Sequence, residues 1–451
     1  MRVHLIAVGG AAMHNLAIAL HQKGYNVTGS DDVIYEPSNS RLAKHGLLPA
    51  EMGWDDNRIT SDIDVIILGM HARVDNPELL KAQELGLKIY SYPAYIYEQS
   101  KDKIRVVIGG SHGKTTITSM ILHVLHYHQK EFDYLVGAQL AGFETMVKIT
   151  DTAPIIVIEG DEYLASPIDR RPKFHLYQAN IAVISGIAWD HINVFPTFEN
   201  YVAQFSKFID TITPKGKLIY CELDEELRKT VALSTADVVK IPYGVPAHEV
   251  VDGVTYLLPQ HVALNVFGDH NLMNLNAAKN VCAQLGIDEE GFNAAISSFA
   301  GAAKRLELIT TKDQTNVYKD FAHSPSKLKA AINAVKSQFK DRKLVAFMEL
   351  HTFSSLNKDF LNEYKGCMND ADIAIVYIDA KTFEQKKMQP LTKQDIKQAF
   401  EDDKLLYFDN QQELLAYLTS LNYKQTNLLM MSSGTYAGLD LHQLANQLKT
   451  N

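Results

Sequence analysis

Short apolar runs that stop at Gly, Asp or Ser alternate with stretches of helical spacing along most of the chain, the pattern of strand and helix units repeated around parallel sheets. Val3 to Val8 reads as a buried strand and Met13 to Lys23 as the helix behind it. Tyr25 to Gly29, Asp64 to Leu68 and Leu87 to Tyr90 continue the series, and the polar stretch Glu98 to Lys103 interrupts it. A second series begins with a strand at Ile104 to Ile108 and a helix at Ile117 to His126, with further strands at Ile155 to Ile158, Ile181 to Ser185 and Gly216 to Tyr220. From Val238 to Phe267 the pieces VVKIPYG, GVTYLL and VALNVFG suggest a small antiparallel addition, before helices at Asn271 to Leu285 and Glu290 to Phe299. A third series runs from RLELITT through the hairpin-like QTNVYKD and the helix Ser326 to Phe339 to strands at Lys343 to Met348, Ile373 to Tyr377 and Asn427 to Met431. The expectation is an α/β chain of three domains, 1–98, 99–302 and 303–451.

Composition narrows the class. Of 451 residues 46% are hydrophobic and 22% charged, an ordinary globular balance that excludes disorder or coiled coil over most of the length. With 44 basic against 53 acidic side chains and no Lys/Arg-rich run, a nucleic-acid partner is not expected. Cys221, Cys282 and Cys367 lie too far apart for a CxxC metal site or a disulfide framework and read as core thiols. No run approaches the roughly 18 to 20 apolar residues of a membrane span, and MRVHLIAVGG is too brief for a signal peptide, so no membrane partner and a reducing, cytoplasmic setting are expected.

The strongest chemical signal is Gly110-Ser111-His112-Gly113-Lys114-Thr115-Thr116, between an apolar strand and a helical pattern. Backbone N–H groups at such a turn and the positive end of the helix face a phosphate, Lys114 neutralises charge, and Thr115 supplies a hydroxyl for magnesium. A triphosphate with a hard cation also needs acidic or imidazole ligands at neighbouring strand ends. Glu159-Gly160-Asp161-Glu162 follows one strand, and Asp190-His191 the next; Glu159 and His191 are the candidate metal ligands, Asp161 and Glu162 being equally readable as capping or solvated acids. His270 and Asn271, in Gly268-Asp269-His270-Asn271, are suited to stack on or hydrogen-bond to a base, although alone they read as a helix cap. Gly9-Gly10-Ala11-Ala12-Met13 is a weak dinucleotide fingerprint with two glycines replaced by alanine, and Asp31 after the next strand could meet a ribose or base. Lys304-Arg305 and Asp320-Phe321-Ala322-His323-Ser324-Pro325 offer a mobile cation and a strand-end carboxylate.

In this order, the glycine turn, GSD, GSHGKTT, EGDE, DH, GDHNxxN, a Lys-Arg junction and DFAHSP, the motifs resemble the Mur ligase superfamily along nearly the whole chain. The resemblance implies Rossmann-like first and third domains around a central phosphate-loop ATPase domain, with ATP and Mg2+ as cofactors in amide formation for cell-wall synthesis. It implies Lys114 and Thr115 on the triphosphate, Thr115, Glu159 and His191 on magnesium, Asn271 with His270 at adenine, Arg305 at the γ-phosphate and Asp320 at the ribose. Gly9, Gly10, Ala11, Met13, Asp31 and His71 would face a UDP-sugar. The nearest branches use UDP-N-acetylmuramate itself and join it to L-alanine or to L-alanyl-γ-D-glutamyl-meso-diaminopimelate; Glu159 to Tyr163 followed by Asp169-Arg170-Arg171-Pro172-Lys173-Phe174 looks like the tripeptide branch. Phe205 stands where other branches carry a carbamylated lysine, so no such modification is implied. Gly186 to Asn193 departs from the family's Asn-x-Glu-x-Asp-His-x-Asp, and Glu349-Leu350-His351-Thr352 replaces an Arg-containing segment of the alanine branch. The first departure motivates a rival, a nucleotide-responsive UDP-sugar-binding protein that has lost ligation.

Overall fold

Strand β1, Arg2–Ile6, buries Val3, Leu5 and Ile6 between its parallel partners β2, Asn26–Ser30, and β3, Val65–Leu68, while β4, Ile89–Ser91, closes the far edge. The order is β2-β1-β3-β4. The run Val65–Leu68 is buried at every position, as expected of an internal strand of a parallel sheet covered on both faces. The helix after β1 is Ala11–Gln22, two residues earlier than its apolar periodicity alone marks, because Gly10 serves as N-cap. The computed structural model describes residues 1–140, 142–189, 194–301 and 305–450.

Seven strands form the second sheet: β5 Ile104–Gly109, β6 Asp133–Leu135, β7 Val147–Lys148, β8 Ile155–Glu159, β9 Ile181–Ile184, β10 Gly216–Cys221 and β11 Val238–Tyr243. Their order is β11-β10-β9-β5-β8-β6-β7, parallel except for β7 against β6. VVKIPYG does not belong to the antiparallel addition; it pairs in parallel with β10 from Gly216↔Val238 to Cys221↔Tyr243. It is an edge strand, half exposed and carrying Pro242, which is why its pattern resembled a loose hairpin.

The antiparallel sheet is β12 His248–Val251, β13 Val254–Leu257 and β14 Val262–Leu264, the first largely exposed and invisible to an apolar search. The last sheet contains β15 Glu307–Lys312, β16 Thr315–Asp320, β17 Lys343–Glu349, β18 Ile373–Tyr377, β19 Leu406–Phe408 and β20 Thr426–Met431, ordered β15-β16-β20-β17-β18-β19. Alternate residues feed two cores: Ala346, Met348, Val376 and Leu429 on one face, Val345, Phe347, Ile375 and Leu428 on the other.

The chain forms two compact units. One comprises Met1–Ile187, Val194–Gly244 and Ala277–Ala295 and holds the first two sheets; the other, built mainly from Val245–Asn276 and 296–450, holds the antiparallel and six-stranded sheets. No described helix is long and apolar enough to cross a membrane.

Candidate active site

Strand β5 ends in a loop whose backbone only glycine can supply at two points. Gly110 has φ +121 and Gly113 φ +75, and a Cβ on Gly110 would fall 2.7 Å from the Ser185 amide nitrogen. The loop is stitched to the exit of β9, with Ser185 N–H donating to Gly109 O at 3.1 Å and Ser111 N–H to Gly186 O at 3.0 Å. Helix Lys114–Tyr127 then starts with neither a side-chain cap bond nor an acidic residue in its first turn. Those N–H groups and the helix dipole are the elements of an anion site. Thr116 and Ser111 are buried, and His112 is half-buried.

The strand-end acids divide their partners. Glu159, buried at the end of β8, accepts from Thr115 Oγ1 at 2.8 Å and from the Gly137 N–H at 2.8 Å. Burial raises its pKa, the Gly137 and Thr115 bonds and nearby Lys114 opposing the rise. Glu162 takes Lys114, Nζ to Oε2 at 2.8 Å, while the same ammonium donates to Gly110 O at 2.6 Å. Burial pulls the Lys114 pKa down, but Glu162, Asp161 and Glu159 outweigh it and the net shift is upward. Asp161 takes Lys173 at 2.8 Å. Thus Glu162, readable in sequence as a solvated acid, is 1% exposed and neither caps a helix nor faces water. Among the described residues no cluster of three or more His, Cys, Asp and Glu side chains forms a metal-binding group. Thr115 and Glu159 nevertheless bring two oxygen donors together, a chemistry that fits a hard divalent cation, and a cation there would offset the burial of Glu159. His191, the third expected ligand, lies outside the described residues.

A cavity of about 440 Å3 joins this chemistry to the first sheet: Gly10, Ala11, Met13 and His71 line it together with Lys114, Glu159, Asp161 and Lys173. Tyr92, Tyr163 and Tyr177 complete part of the wall; Tyr163 closes the segment that resembles the tripeptide branch, and neither Tyr92 nor Tyr177 carries a sequence signal. Helix Ala11–Gln22 also begins without a side-chain cap or first-turn acid. Gly9 and Asp31 do not line this cavity. Asp31 Oδ2 accepts the Gly9 N–H at 2.7 Å and Oδ1 the Asp32 N–H at 2.9 Å, so the carboxylate braces the glycine turn from behind. Burial pushes its pKa up to about 6. Buried His14, also overlooked, braces the same turn through Gly10 O at 3.0 Å and Ser38 Oγ at 3.0 Å.

The remaining candidates lie in the second unit. Asp320, at the end of β16, accepts the Leu306 and Ala322 N–H groups, each at 2.7 Å, and burial raises its pKa. Arg305 lies over the Phe321 ring, 4.9 Å from its centre, and Lys304 is outside the described residues. Helix Asp269–Gln284 begins before His270 and Asn271, which therefore occupy its first turn. Burial, then Arg305, lowers the His270 pKa to about 4, keeping the imidazole neutral, and the Asn271 amide donates to Phe267 O at 3.0 Å.

Three family models match in succession: Mur ligase family, catalytic domain, over residues 2–103; Mur ligase middle domain over 108–282; and Mur ligase, glutamate ligase domain, over 304–434. The UDP-N-acetylmuramate--L-alanine ligase of Caldicellulosiruptor saccharolyticus is 32% identical over 412 residues, 87% of this chain and 86% of that protein. The chain belongs to the Mur ligase family. Members of the Mur ligase family are ATP-dependent ligases of the peptide-forming class, and this chain is such an enzyme. The structure of the UDP-N-acetylmuramate:L-alanyl-gamma-D-glutamyl-meso-diaminopimelate ligase from Neisseria meningitides is 25% identical, with TM-score 0.58, across 66% of this chain and 98% of that one. A UDP-N-acetylmuramate-alanine ligase from Thermotoga maritima, 20% identical with TM-score 0.67 over 97% of both chains, shares the Mur ligase fold.

Proposed function

We propose that this enzyme joins the lactyl carboxylate of UDP-N-acetylmuramate to the amine of L-alanyl-γ-D-glutamyl-meso-diaminopimelate, with ATP hydrolysed to ADP and phosphate. The observation that carries the substrate assignment is the shared cavity: the glycine turn and His71 of the first sheet, expected to face the UDP-sugar, line the same space as Lys114 and Glu159. A sugar nucleotide anchored at the helix start Ala11 would thereby offer its carboxylate to the triphosphate loop. The domain boundaries at 98/99 and 302/303 belong to this reading, the first domain binding the sugar nucleotide and the middle domain ATP. His270, Asn271, Arg305 and Asp320 are proposed to meet the adenine, γ-phosphate and ribose.

A carboxylate attacking a triphosphate sets anion against anion, so the protein must supply positive charge that strengthens as the transition state forms. Loop amides 110–114 and the Lys114 ammonium do so on the middle domain, and Arg305 is proposed to add a guanidinium. A magnesium ion held through Thr115 and Glu159, with His191, would neutralise further phosphate charge. The acyl phosphate is then opened by the incoming amine, the nitrogen–carbon bond forming as phosphate leaves.

The choice of amine rests on the segment after β8. Asp161, Tyr163 and Lys173 line the cavity, Lys173 being held by Asp161, and Tyr163 and Lys173 are joined along the backbone at 2.8 Å. The likeness of Glu159 to Tyr163 and Asp169 to Phe174 to the tripeptide branch supports the tripeptide as the amine; the curated relatives favour the simpler amine, and their names make L-alanine the second reading. A ligation assay offering both amines with UDP-N-acetylmuramate and ATP, with products separated by mass, tests this. Tripeptide product should dominate; alanine product alone would transfer the assignment to the second reading, and phosphate release without either amine would reject ligation of both.

A further inference from the structure

We propose that Glu162 is a positioning residue for the phosphate-loop lysine, acting through a closed relay that runs from Ser111 through Tyr201 and Glu162 to Lys114. The inference rests on the reading of residues 110–116 as a triphosphate loop. Tyr201 lies on helix Phe198–Asp210, fully buried between Phe195 and Phe205, with ring centres 5.4 and 5.1 Å away. Its hydroxyl meets Ser111 Oγ at 2.9 Å and donates to Glu162 Oε1 at 3.3 Å; Glu162 Oε2 accepts from Lys114 at 2.8 Å. Two side chains outside the loop thereby tie its second residue to its lysine. Neither Glu159 nor Asp161 is placed to substitute, because their oxygens are engaged by Thr115 and Gly137 and by Lys173.

The arrangement suits a geometric task better than a stabilising one. A buried ion pair gains little net stability over an apolar pair, because desolvation offsets attraction, whereas it fixes geometry well. A lysine side chain is a flexible four-carbon stem ending in three donors. With two of them held by Gly110 O and Glu162, the ammonium is confined above the loop and the third donor serves the phosphate.

The test uses the full-length chain and calorimetric binding of a non-hydrolysable ATP analogue with magnesium, alongside turnover. Glu162→Gln should weaken analogue binding roughly ten- to a hundred-fold, the scale of one charge-assisted hydrogen bond, and lower kcat, with the KM for UDP-N-acetylmuramate within about two-fold. Tyr201→Phe keeps the ring and should weaken binding by a smaller factor, and the double variant should bind about as poorly as Glu162→Gln alone, since both act through one lysine. In a Lys114→Ala background Glu162→Gln should leave affinity unchanged and raise the melting temperature, because it removes a buried carboxylate that has lost the Lys114 ammonium. Parent-like binding by Glu162→Gln, or an equal loss with and without Lys114, overturns the relay. Should Glu162→Gln fail to fold, parent-like binding by Tyr201→Phe overturns it. A parent protein that binds no ATP analogue removes the triphosphate loop itself, and the relay falls with it.

Discussion

Substituting Gly110 by alanine tests whether the loop's backbone, rather than its side chains, forms the phosphate site. The added Cβ would stand 2.2 Å from Ser185 Oγ and 2.7 Å from the Ser185 amide nitrogen. The hydroxyl can turn away, but the amide cannot, because it donates to Gly109 O at 3.1 Å across the β5–β9 pairing. Restoring an ordinary 3.4 Å separation from 2.7 Å requires a backbone shift of about 0.7 Å. A non-glycine residue at φ +121 adds about 1–3 kcal/mol of strain, and the overpacking a similar amount. Two loop amides displaced from a phosphate would each forfeit about 1.5 kcal/mol or more, together about 3 kcal/mol, a loss of roughly 100-fold in affinity.

Gly24→Ala is the control. Gly24 also has positive φ, +90, but among the described residues nothing lies within 4 Å of its Cβ position, so the substitution costs strain without a clash. Calorimetry with an ATP analogue should show a loss of at least roughly 100-fold for Gly110→Ala and parent-like affinity for Gly24→Ala, both proteins retaining their circular dichroism. An affinity for Gly110→Ala within three-fold of the parent would refute the assignment of these amides to phosphate.

Three further outcomes are expected. Lys114→Ala should lower phosphate release by several orders of magnitude while UDP-N-acetylmuramate binding, measured by calorimetry, changes less than about five-fold, because the sugar nucleotide is proposed to be anchored on the first sheet; equal loss of both would break this division. Asp31, raised to about 6 by burial, stabilises the fold below its ordinary pKa near 4 and loses that contribution as pH rises toward 6. The stability of Asp31→Asn relative to the parent should therefore increase from pH 4 to pH 7, by up to about 3 kcal/mol in urea melts, and a flat difference would show that the carboxyl is unperturbed. Phe205 is fully buried against Phe174 and Tyr201, so no carbamylated lysine is expected there, and activity in carbon-dioxide-free buffer should match that with added bicarbonate.

Sheets and loops were legible to different degrees. Internal strands such as Ile373–Tyr377 and Ile155–Glu159 are continuous apolar runs because both faces are covered, and their boundaries follow from composition to within a residue. Edge strands are not: Val238–Tyr243 and His248–Val251 face solvent for much of their length, so their pattern carries little information about which neighbour they join. Helix Phe198–Asp210 is amphipathic, with Tyr201, Gln204, Phe205, Phe208 and Ile209 inward, but it lies in a connection between strands, where no strand-exit signal points to it. Tyr201 therefore has no local signal in the sequence.

The site shows the same division between local and distant information. A phosphate loop is written in consecutive residues, since backbone geometry demands glycine at fixed places, and Gly110 and Gly113 obey it. Pairing between side chains 12, 48 or 90 positions apart has no such signature: Asp161 with Lys173, Lys114 with Glu162, and Ser111 with Tyr201. Sequence shows only that three carboxylates crowd one strand exit, where mutual repulsion would raise their pKa values. The fold resolves that crowding by giving each its own partner, two amines and one hydroxyl. Asp161 and Glu162 are thereby paired with protein cations, while Glu159, among the described residues, meets the neutral donors Thr115 and Gly137, and its oxygens suit a hard metal ion. The distinction between acids that look alike in sequence is therefore a property of what each one touches, and among the described residues it is Glu159 of the three that has no directly bonded cation.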